Sequence, residues 1–253
     1  MVIELDIGNS RIKWRARTQD VISAEGVAAD VSDLVGTFED LQFPEEMLVS
    51  CVRGDDILGE IANWAKQHWQ LVPRLAYVSE KASGVTNSYS DVSRMGVDRW
   101  LAMLAAFQQT QSACLVVDGG TALTIDAIDS SGVHLGGYIL PGLTLAVRAI
   151  EENTGIRLQH HDYSPAAELG SNTEAAVLNG ELAQVIALIE KVTRQLIDDQ
   201  SGEAEARAVK ILLSGGDAVL LQAALADSSS IEVEICPTLV LDGLALAETR
   251  EYL

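Results

Sequence analysis

One local pattern occurs twice in this chain, and it limits what the chain can fold into. Val2 to Leu5 is a short apolar run closed by Asp6-Ile7-Gly8-Asn9, after which Ile12, Trp14 and Ala16 alternate with charged neighbours. Cys114 to Val117 is a second such run, closed by Asp118-Gly119-Gly120-Thr121, and Leu123, Ile125 and Ala127 alternate after it. An apolar run, a glycine turn and a segment of period two read as strand, hairpin turn and half-buried strand. A third strand follows each pair, at Val21 to Ala24 and, beyond Ser130-Ser131-Gly132, at Val133 to Leu140. Duplication is the simplest source of two matching meanders. The 253 residues suffice for two domains of ordinary size, expected at 1–110 and 111–253.

The remaining elements fill in an α/β pattern. Strands are expected at Met47 to Val52, Leu71 to Val78, Ala208 to Leu213 and Ile231 to Ile235. Helices are expected at Ile57 to Trp69, across Trp100 to Phe107, from Pro141-Gly142 to Glu151, from Thr173 to Ile197 and from Thr238 to Ala247. Ser83 to Asp91 is rich in Gly, Ser, Asn and Asp and reads as a loop, while Asp199 to Glu205 reads as a solvated segment.

Charge excludes one class of partner. Asp and Glu outnumber Lys and Arg by 37 to 17, a net charge of −20, which repels a phosphate backbone over the whole surface and argues against DNA or RNA. The same charge means that a polyphosphate can be held only where a divalent cation and oriented backbone amides reverse the local field, so magnesium is expected. Glu4, Asp6 and Arg11 interrupt any apolar stretch at the N-terminus, and no run approaches the roughly 20 apolar residues of a spanning helix. A cytoplasmic protein without a membrane is expected. Cys51, Cys114 and Cys236 sit in or beside apolar runs and read as buried, reduced thiols.

The turns carry the chemistry. A hairpin tip containing Gly8 lets backbone N–H groups approach phosphate oxygens, with Asn9, Ser10 and Lys13 adding side-chain donors and Asp6 a hard oxygen ligand for magnesium. A single Asp-Gly turn is common in β proteins. Two of them in matching contexts point to a polyphosphate such as ATP gripped from both sides. A third glycine-rich segment, Leu213-Ser214-Gly215-Gly216-Asp217, precedes the helix-like stretch from Ala218, where a nucleotide would meet a helix N-terminus. Neither the Walker nor the Rossmann glycine motif is present. Gly96-Val97-Asp98-Arg99-Trp100 sets an acid beside a fixed cation near a helix start. That acid suits accepting a hydroxyl proton, and the guanidinium suits a substrate carboxylate. His160 and His161 are adjacent and point apart, His68 and His134 are isolated, and no zinc site is expected.

Taken together, LDIGNSRIKW at 5–14, NSYSDVSRMGVDRW at 87–100, VVDGGTALTIDAIDSSGVHLGGYILPGL at 116–143, LGSNTEAAVLNG at 169–180, LLSGGDA at 212–218 and PTLVLDGLALA at 237–247 resemble the type III pantothenate kinases nearly end to end. The resemblance implies the fold shared by acetate and sugar kinases, heat-shock chaperones and actin: two duplicated ribonuclease-H-like domains, with mixed sheets flanked by helices, closing on ATP. It implies phosphorylation of pantothenate to 4'-phosphopantothenate, the first step toward coenzyme A. On that pattern Asp6, Ile7, Gly8, Asn9, Ser10, Arg11, Ile12 and Lys13 form the first phosphate motif, with Asp6 as a magnesium ligand. Thr121 touches ATP, and Asp118 holds a monovalent cation, potassium or ammonium. Tyr89, Gly96, Val97, Asp98, Arg99 and Thr173 line the pantothenate pocket, with Asp98 as general base and Arg99 on the carboxylate. A homodimer is implied as well. Val92, Ser171 and Gly119 depart from the residues usual in the family, which are proline, arginine and a larger apolar residue respectively. Two other readings remain: a non-catalytic accessory factor for gene expression, against which the intact Asp6, Asp98, Arg99 and Asp118 count, and a kinase of this fold acting on another small hydroxylated acid or a sugar.

Overall fold

The structure is a computed structural model that describes residues 1–19, 21–38, 41–159, 166, 168–199, 209–226 and 232–252. In chain order the strands and helices are β1 (Val2–Ile7), β2 (Ile12–Thr18), β3 (Val21–Ala28), α1 (Val31–Phe38), β4 (Glu46–Cys51), α2 (Asp55–Trp69), β5 (Arg74–Ala76), β6 (Lys81–Ala82), β7 (Val85–Thr86) and α3 (Val97–Thr110). There follow β8 (Cys114–Gly119), β9 (Ala122–Ile128), β10 (His134–Pro141), α4 (Leu143–Asn153), α5 (Thr173–Asp199), β11 (Lys210–Gly215), α6 (Ala218–Leu225), β12 (Glu232–Ile235), α7 (Leu239–Leu244) and β13 (Thr249–Glu251). The chain divides into two compact units, Met1–Gln108 with Thr238–Leu253, and Gln109–Pro237.

The first unit is built on a six-stranded mixed sheet in the order β13-β5-β4-β1-β2-β3. β1, β2 and β3 form the expected antiparallel meander, with Asp6 opposite Lys13, and β4 runs parallel to β1 on its other side. Alternation sorts β1 and β2 into two faces. Ile3, Leu5, Ile7, Ile12, Trp14 and Ala16 form one face and pack with α1 and α2 through Leu34, Phe38, Leu58 and Ile61. Phe38 meets Trp14 edge-on at 5.6 Å. The opposite face carries Glu4, Asp6, Lys13 and Arg15 and is covered in part by α7, which Arg15 reaches through Asp242.

The second unit repeats the plan. Its five strands lie in the order β10-β9-β8-β11-β12, which matches β3-β2-β1-β4-β5 strand for strand. β8, β9 and β10 are the antiparallel meander, and β11 and β12 add in parallel. Leu182, Val185, Ile186 and Ile189 of α5 sit at helical spacing on one face and are buried with Leu115, Val117, Leu123 and Ile125 of the sheet.

The C-terminus corrects the domain boundaries. The sequence assigns Thr238–Leu253 to the second half, but this segment belongs to the first unit. A short edge strand leaves unpaired N–H and C=O groups. β13 covers that edge of β5 antiparallel, with Arg74 Nε donating to Thr249 Oγ1 at 2.9 Å and the Tyr252 N–H to Pro73 O at 2.9 Å. The expected final helix therefore stops at Leu244. Two further elements depart from the sequence reading: α1 was not anticipated, and the 83–91 loop carries β7, paired with β6. His160, His161 and most of the Asp199 to Glu205 segment lie outside the described residues. No described helix is long and apolar enough to cross a membrane.

Candidate active site

The first turn is anchored by buried Ile7 and Ile12, which pair with each other, and is closed by the Gly8 N–H donating to Arg11 O at 3.1 Å. Asn9, Ser10 and Arg11 at its tip are exposed, and Lys13 is half-buried opposite Asp6. A Cβ on Gly8 would meet only the Arg11 carbonyl, at 3.4 Å. The turn itself thus has room for a side chain, and packing alone does not require glycine here. Asp6 is 7 % exposed at the strand end beside this turn.

The second turn is more crowded. The Gly120 N–H donates to Ala122 O at 3.1 Å, the Gly142 N–H to Thr121 O at 3.0 Å and the Asp217 N–H to Gly119 O at 3.1 Å. These bonds join the ends of β8, β10 and β11. Glycine is required here: a Cβ at Gly142 would lie 2.0 Å from Gly120 O, and one at Gly215, whose φ is +85°, would lie 2.3 Å from Gly119 O and 2.7 Å from Asp118 Oδ1. The departure at Gly119 has a local reason as well, since a Cβ there would press on Asp217 Cβ at 3.0 Å. Asp118 is half-buried at the end of β8, and Thr121 is exposed at the tip.

The acid and cation read from Gly96 to Arg99 sit at the start of α3. Asp98 folds back over Gly96, where a Cβ would lie 2.5 Å from Asp98 Oδ1, and that oxygen accepts from the Arg99 N–H at 2.8 Å. A carboxylate in the first turn also gains from the positive end of the helix. Arg99 is 7 % exposed. Its Nη1 donates to the Tyr89 hydroxyl at 3.0 Å, and its guanidinium carbon lies 5.8 Å from the centre of the Tyr89 ring. The loop carrying Tyr89 is shaped by its own polar side chains. Asn87 Oδ1 accepts from the Tyr89 N–H at 3.0 Å, and Asp91 Oδ1 accepts from the Ser93 N–H and hydroxyl, capping the 3₁₀ turn that holds Val92. Sequence proximity alone did not reveal that Tyr89 and Arg99 touch.

Thr173 is exposed at the first position of α5, and Asn172 caps that helix by accepting from the Ala175 N–H at 2.8 Å. The sequence reading missed a cavity of about 490 Å³ in the second unit, between α4, α5 and the start of α6. Leu143, Val147, Leu178 and Leu220 supply apolar wall, and Arg148, Glu181 and Asp217 supply polar groups. Burial raises the pKa values of Glu181 and Asp217 above their usual ones. The only advance signal was Asp217, at the end of the third glycine segment.

Among the described residues, no three His, Cys, Asp or Glu side chains cluster closely enough to hold a metal by themselves. Asp6, one buried carboxylate beside an exposed turn, fits magnesium in its usual nucleotide mode, in which one or two carboxylates act with water and phosphate oxygens. Cys51, Cys114 and Cys236 are free thiols, and burial pushes the Cys114 thiol up to about 12.

The sequence model of the type III pantothenate kinases matches residues 2–195. The chain belongs to this family. A type III pantothenate kinase of Pseudomonas putida (strain W619) is 35% identical over 98% of each chain, and one of Alcanivorax borkumensis is 35% identical over 99% of this chain and 100% of its own. Solved structures agree on the fold. A Campylobacter jejuni protein described as a Baf family transcriptional activator matches with a TM-score of 0.59 at 19% identity, covering 96% of this chain and 95% of its own. MreB 5 of Spiroplasma citri, bound to AMPPNP, matches with a TM-score of 0.51 at 13% identity, covering 96% and 94%. At such identities these likenesses establish the actin-like fold and nothing more. Family membership is carried by the sequence.

Proposed function

We propose that this type III pantothenate kinase transfers the terminal phosphoryl group of ATP to the terminal hydroxyl of pantothenate, giving 4'-phosphopantothenate, the first step toward coenzyme A. The observation that carries the reading is the match to the family over nearly the whole chain. The arrangement of Asp98, Arg99 and Tyr89 supports it.

In this reading the first turn, from Asp6 to Lys13, binds the transferring phosphates through its backbone amides and the Asn9, Ser10 and Lys13 side chains. Asp6 would hold magnesium, which when bound neutralises charge on the phosphoryl group. Thr121 contacts ATP in the second turn, and Asp118 would hold a monovalent cation. The cavity beside Asp217 takes the nucleoside portion. Asp98 accepts the proton of the attacking hydroxyl, while Arg99, held by Tyr89, binds the substrate carboxylate. Gly96, Val97 and Thr173 complete the pantothenate contacts. Catalysis is then mainly positioning and charge stabilisation. A homodimer acting in the cytoplasm completes the proposal.

A coupled assay with purified protein, ATP, magnesium and pantothenate tests the assignment. Release of ADP that depends on pantothenate is expected. Turnover with another hydroxylated acid or a sugar, but not with pantothenate, would favour the kinase of different specificity, and absence of turnover with every acceptor would favour the accessory factor.

A further inference from the structure

The charged face of the first sheet is buried, which is costly unless every group on it finds a partner. Glu4 and Ser50 are 0 % exposed, Arg15 5 % and Asp6 7 %. Most of this face is balanced internally. Glu4 accepts from Arg15 Nε and, at 2.9 Å, from Arg17 Nη2, and Asp242 of α7 accepts from Arg15 Nη1 at 2.5 Å and from Thr238 Oγ1 at 2.9 Å. Ser50 is different. Its Oγ is fully buried and has no hydrogen-bond partner among the described residues.

Its position gives that hydroxyl a use. β4 runs parallel to β1 with Ser50 in register with Asp6 and Leu48 in register with Glu4. Register partners on adjacent strands share a face and stand about 4.8 Å apart along the hydrogen-bonding direction. Ser50 Oγ is therefore a buried donor next to the carboxylate at the end of β1, one strand from the exposed turn. Both strands are fixed by the same sheet, so the spacing between the two side chains needs no rearrangement to be maintained.

We infer that Ser50 is a further residue of the phosphate site, its hydroxyl donating to an oxygen of the bound magnesium–nucleotide seated at Asp6. That oxygen belongs either to a phosphate group or to a water on the cation. The inference rests on the phosphate-binding reading of the first turn. It explains why a buried hydroxyl stands beside Asp6 where alanine would pack without an unsatisfied polar atom. Removing such an atom leaves stability unchanged or improved, so stability and binding respond differently to its loss.

The experiment titrates Ser50→Ala and Ser50→Cys with a non-hydrolysable ATP analogue, with and without magnesium, and follows thermal melting of the unliganded proteins. Ser50→Ala is expected to melt at or above the parent temperature and to bind the magnesium–nucleotide about tenfold more weakly. Ser50→Cys, similar in size with a weaker donor, falls between. A loss seen only with magnesium identifies the cation-bound water, and an equal loss without magnesium identifies the phosphate oxygen. Parent-like affinity in Ser50→Ala overturns the inference, and so does weak binding accompanied by a clearly lowered melting temperature, which would mark a packing role. If Ser50→Ala does not fold, Ser50→Cys is judged by the same criteria. The parent protein is the control for the underlying reading: if it binds no nucleotide, the phosphate site itself is misassigned, whereas a binding parent with an indifferent Ser50→Ala removes Ser50 alone.

Discussion

Arg99 donates from Nη1 to the Tyr89 hydroxyl at 3.0 Å while its guanidinium lies over the edge of the same ring, 5.8 Å from its centre. The contact holds a buried cation at the start of α3 against a loop shaped by Asn87 and Asp91. In the proposed function a planar guanidinium fixed in this way meets the substrate carboxylate in one orientation. Tyr89→Phe keeps the ring and removes the acceptor, so the KM for pantothenate is expected to rise about tenfold with the KM for ATP unchanged. Arg99→Lys loses the planar fork and is expected to lower kcat/KM for pantothenate about a hundredfold. Steady-state kinetics with each substrate varied in turn checks both.

Asp98 lies over Gly96 with Oδ1 accepting from the Arg99 N–H at 2.8 Å. Asparagine retains the shape and that accepting oxygen but cannot take a proton. Asp98→Asn is expected to lower kcat by about 10² to 10⁴ and to leave nucleotide affinity within twofold of the parent. Turnover near the parent rate would remove Asp98 from the role of base.

How much of this was legible in the sequence follows from which forces are local. Alternation in Ile12, Trp14 and Ala16 and in Leu123, Ile125 and Ala127 reports burial of one strand face, so both meanders and their turns were readable. The short helix α1 was missed although Val31, Leu34 and Phe38 have helical spacing, because eight residues stabilise little by themselves and this helix depends on packing against the sheet. The pairing of β13 with β5 was invisible for another reason, since it joins residues more than 170 positions apart through backbone groups that every residue possesses. The second-unit cavity draws its lining from three helices far apart in sequence, and no local spacing announces it. Ser50 read only as part of an apolar strand, and its relation to Asp6 appears once the register of β4 on β1 is known.

The junction of β8, β10 and β11 makes a stability prediction. Alanine at Gly215 would face both a φ of +85° and a Cβ 2.3 Å from Gly119 O. Gly215→Ala is expected to cost about 2–4 kcal/mol, a drop of roughly 5–15 °C in melting temperature for a chain of this size. Gly216→Ala, where nothing lies within 4 Å of the added Cβ, serves as the control and should melt within about 2 °C of the parent. Similar melting of the two variants would show that the turn relaxes easily.

Glu4 accepts from two guanidinium groups in a buried setting. Burial works against the Arg15 charge, but its hydrogen bonds to Glu4 and Asp242 outweigh this and the Arg15 pKa is raised, so its contribution is fully present at any pH below the ordinary arginine range. Glu4→Gln leaves those cations short of a counter-charge and is expected to destabilise by about 3–5 kcal/mol. Combining it with Arg15→Gln should recover part of the loss. Denaturant melts of the single and double variants measure the coupling.

Glu181 gives a pH-dependent prediction whose sign follows from burial. Desolvation raises its pKa above the ordinary 4.5, so over the window from 4.5 up to the folded value the folded protein keeps a proton that the unfolded chain has released. Stability from this group is therefore lost as pH rises through that window, and the penalty is complete above it. Glu181→Gln has no charge to desolvate. Its melting temperature relative to the parent should increase from pH 5 to a plateau by pH 8. Because the chain carries a net charge of −20, removing any negative charge reduces self-repulsion as well. Glu60→Gln, at an exposed position on α2, corrects for that general effect, and the prediction concerns the excess of Glu181→Gln over it. No excess at pH 8 would show that solvent reaches the Glu181 carboxylate freely. A positive excess, together with weaker binding of ATP by the same variant, would place a carboxylate that costs stability at the wall where the nucleoside is held.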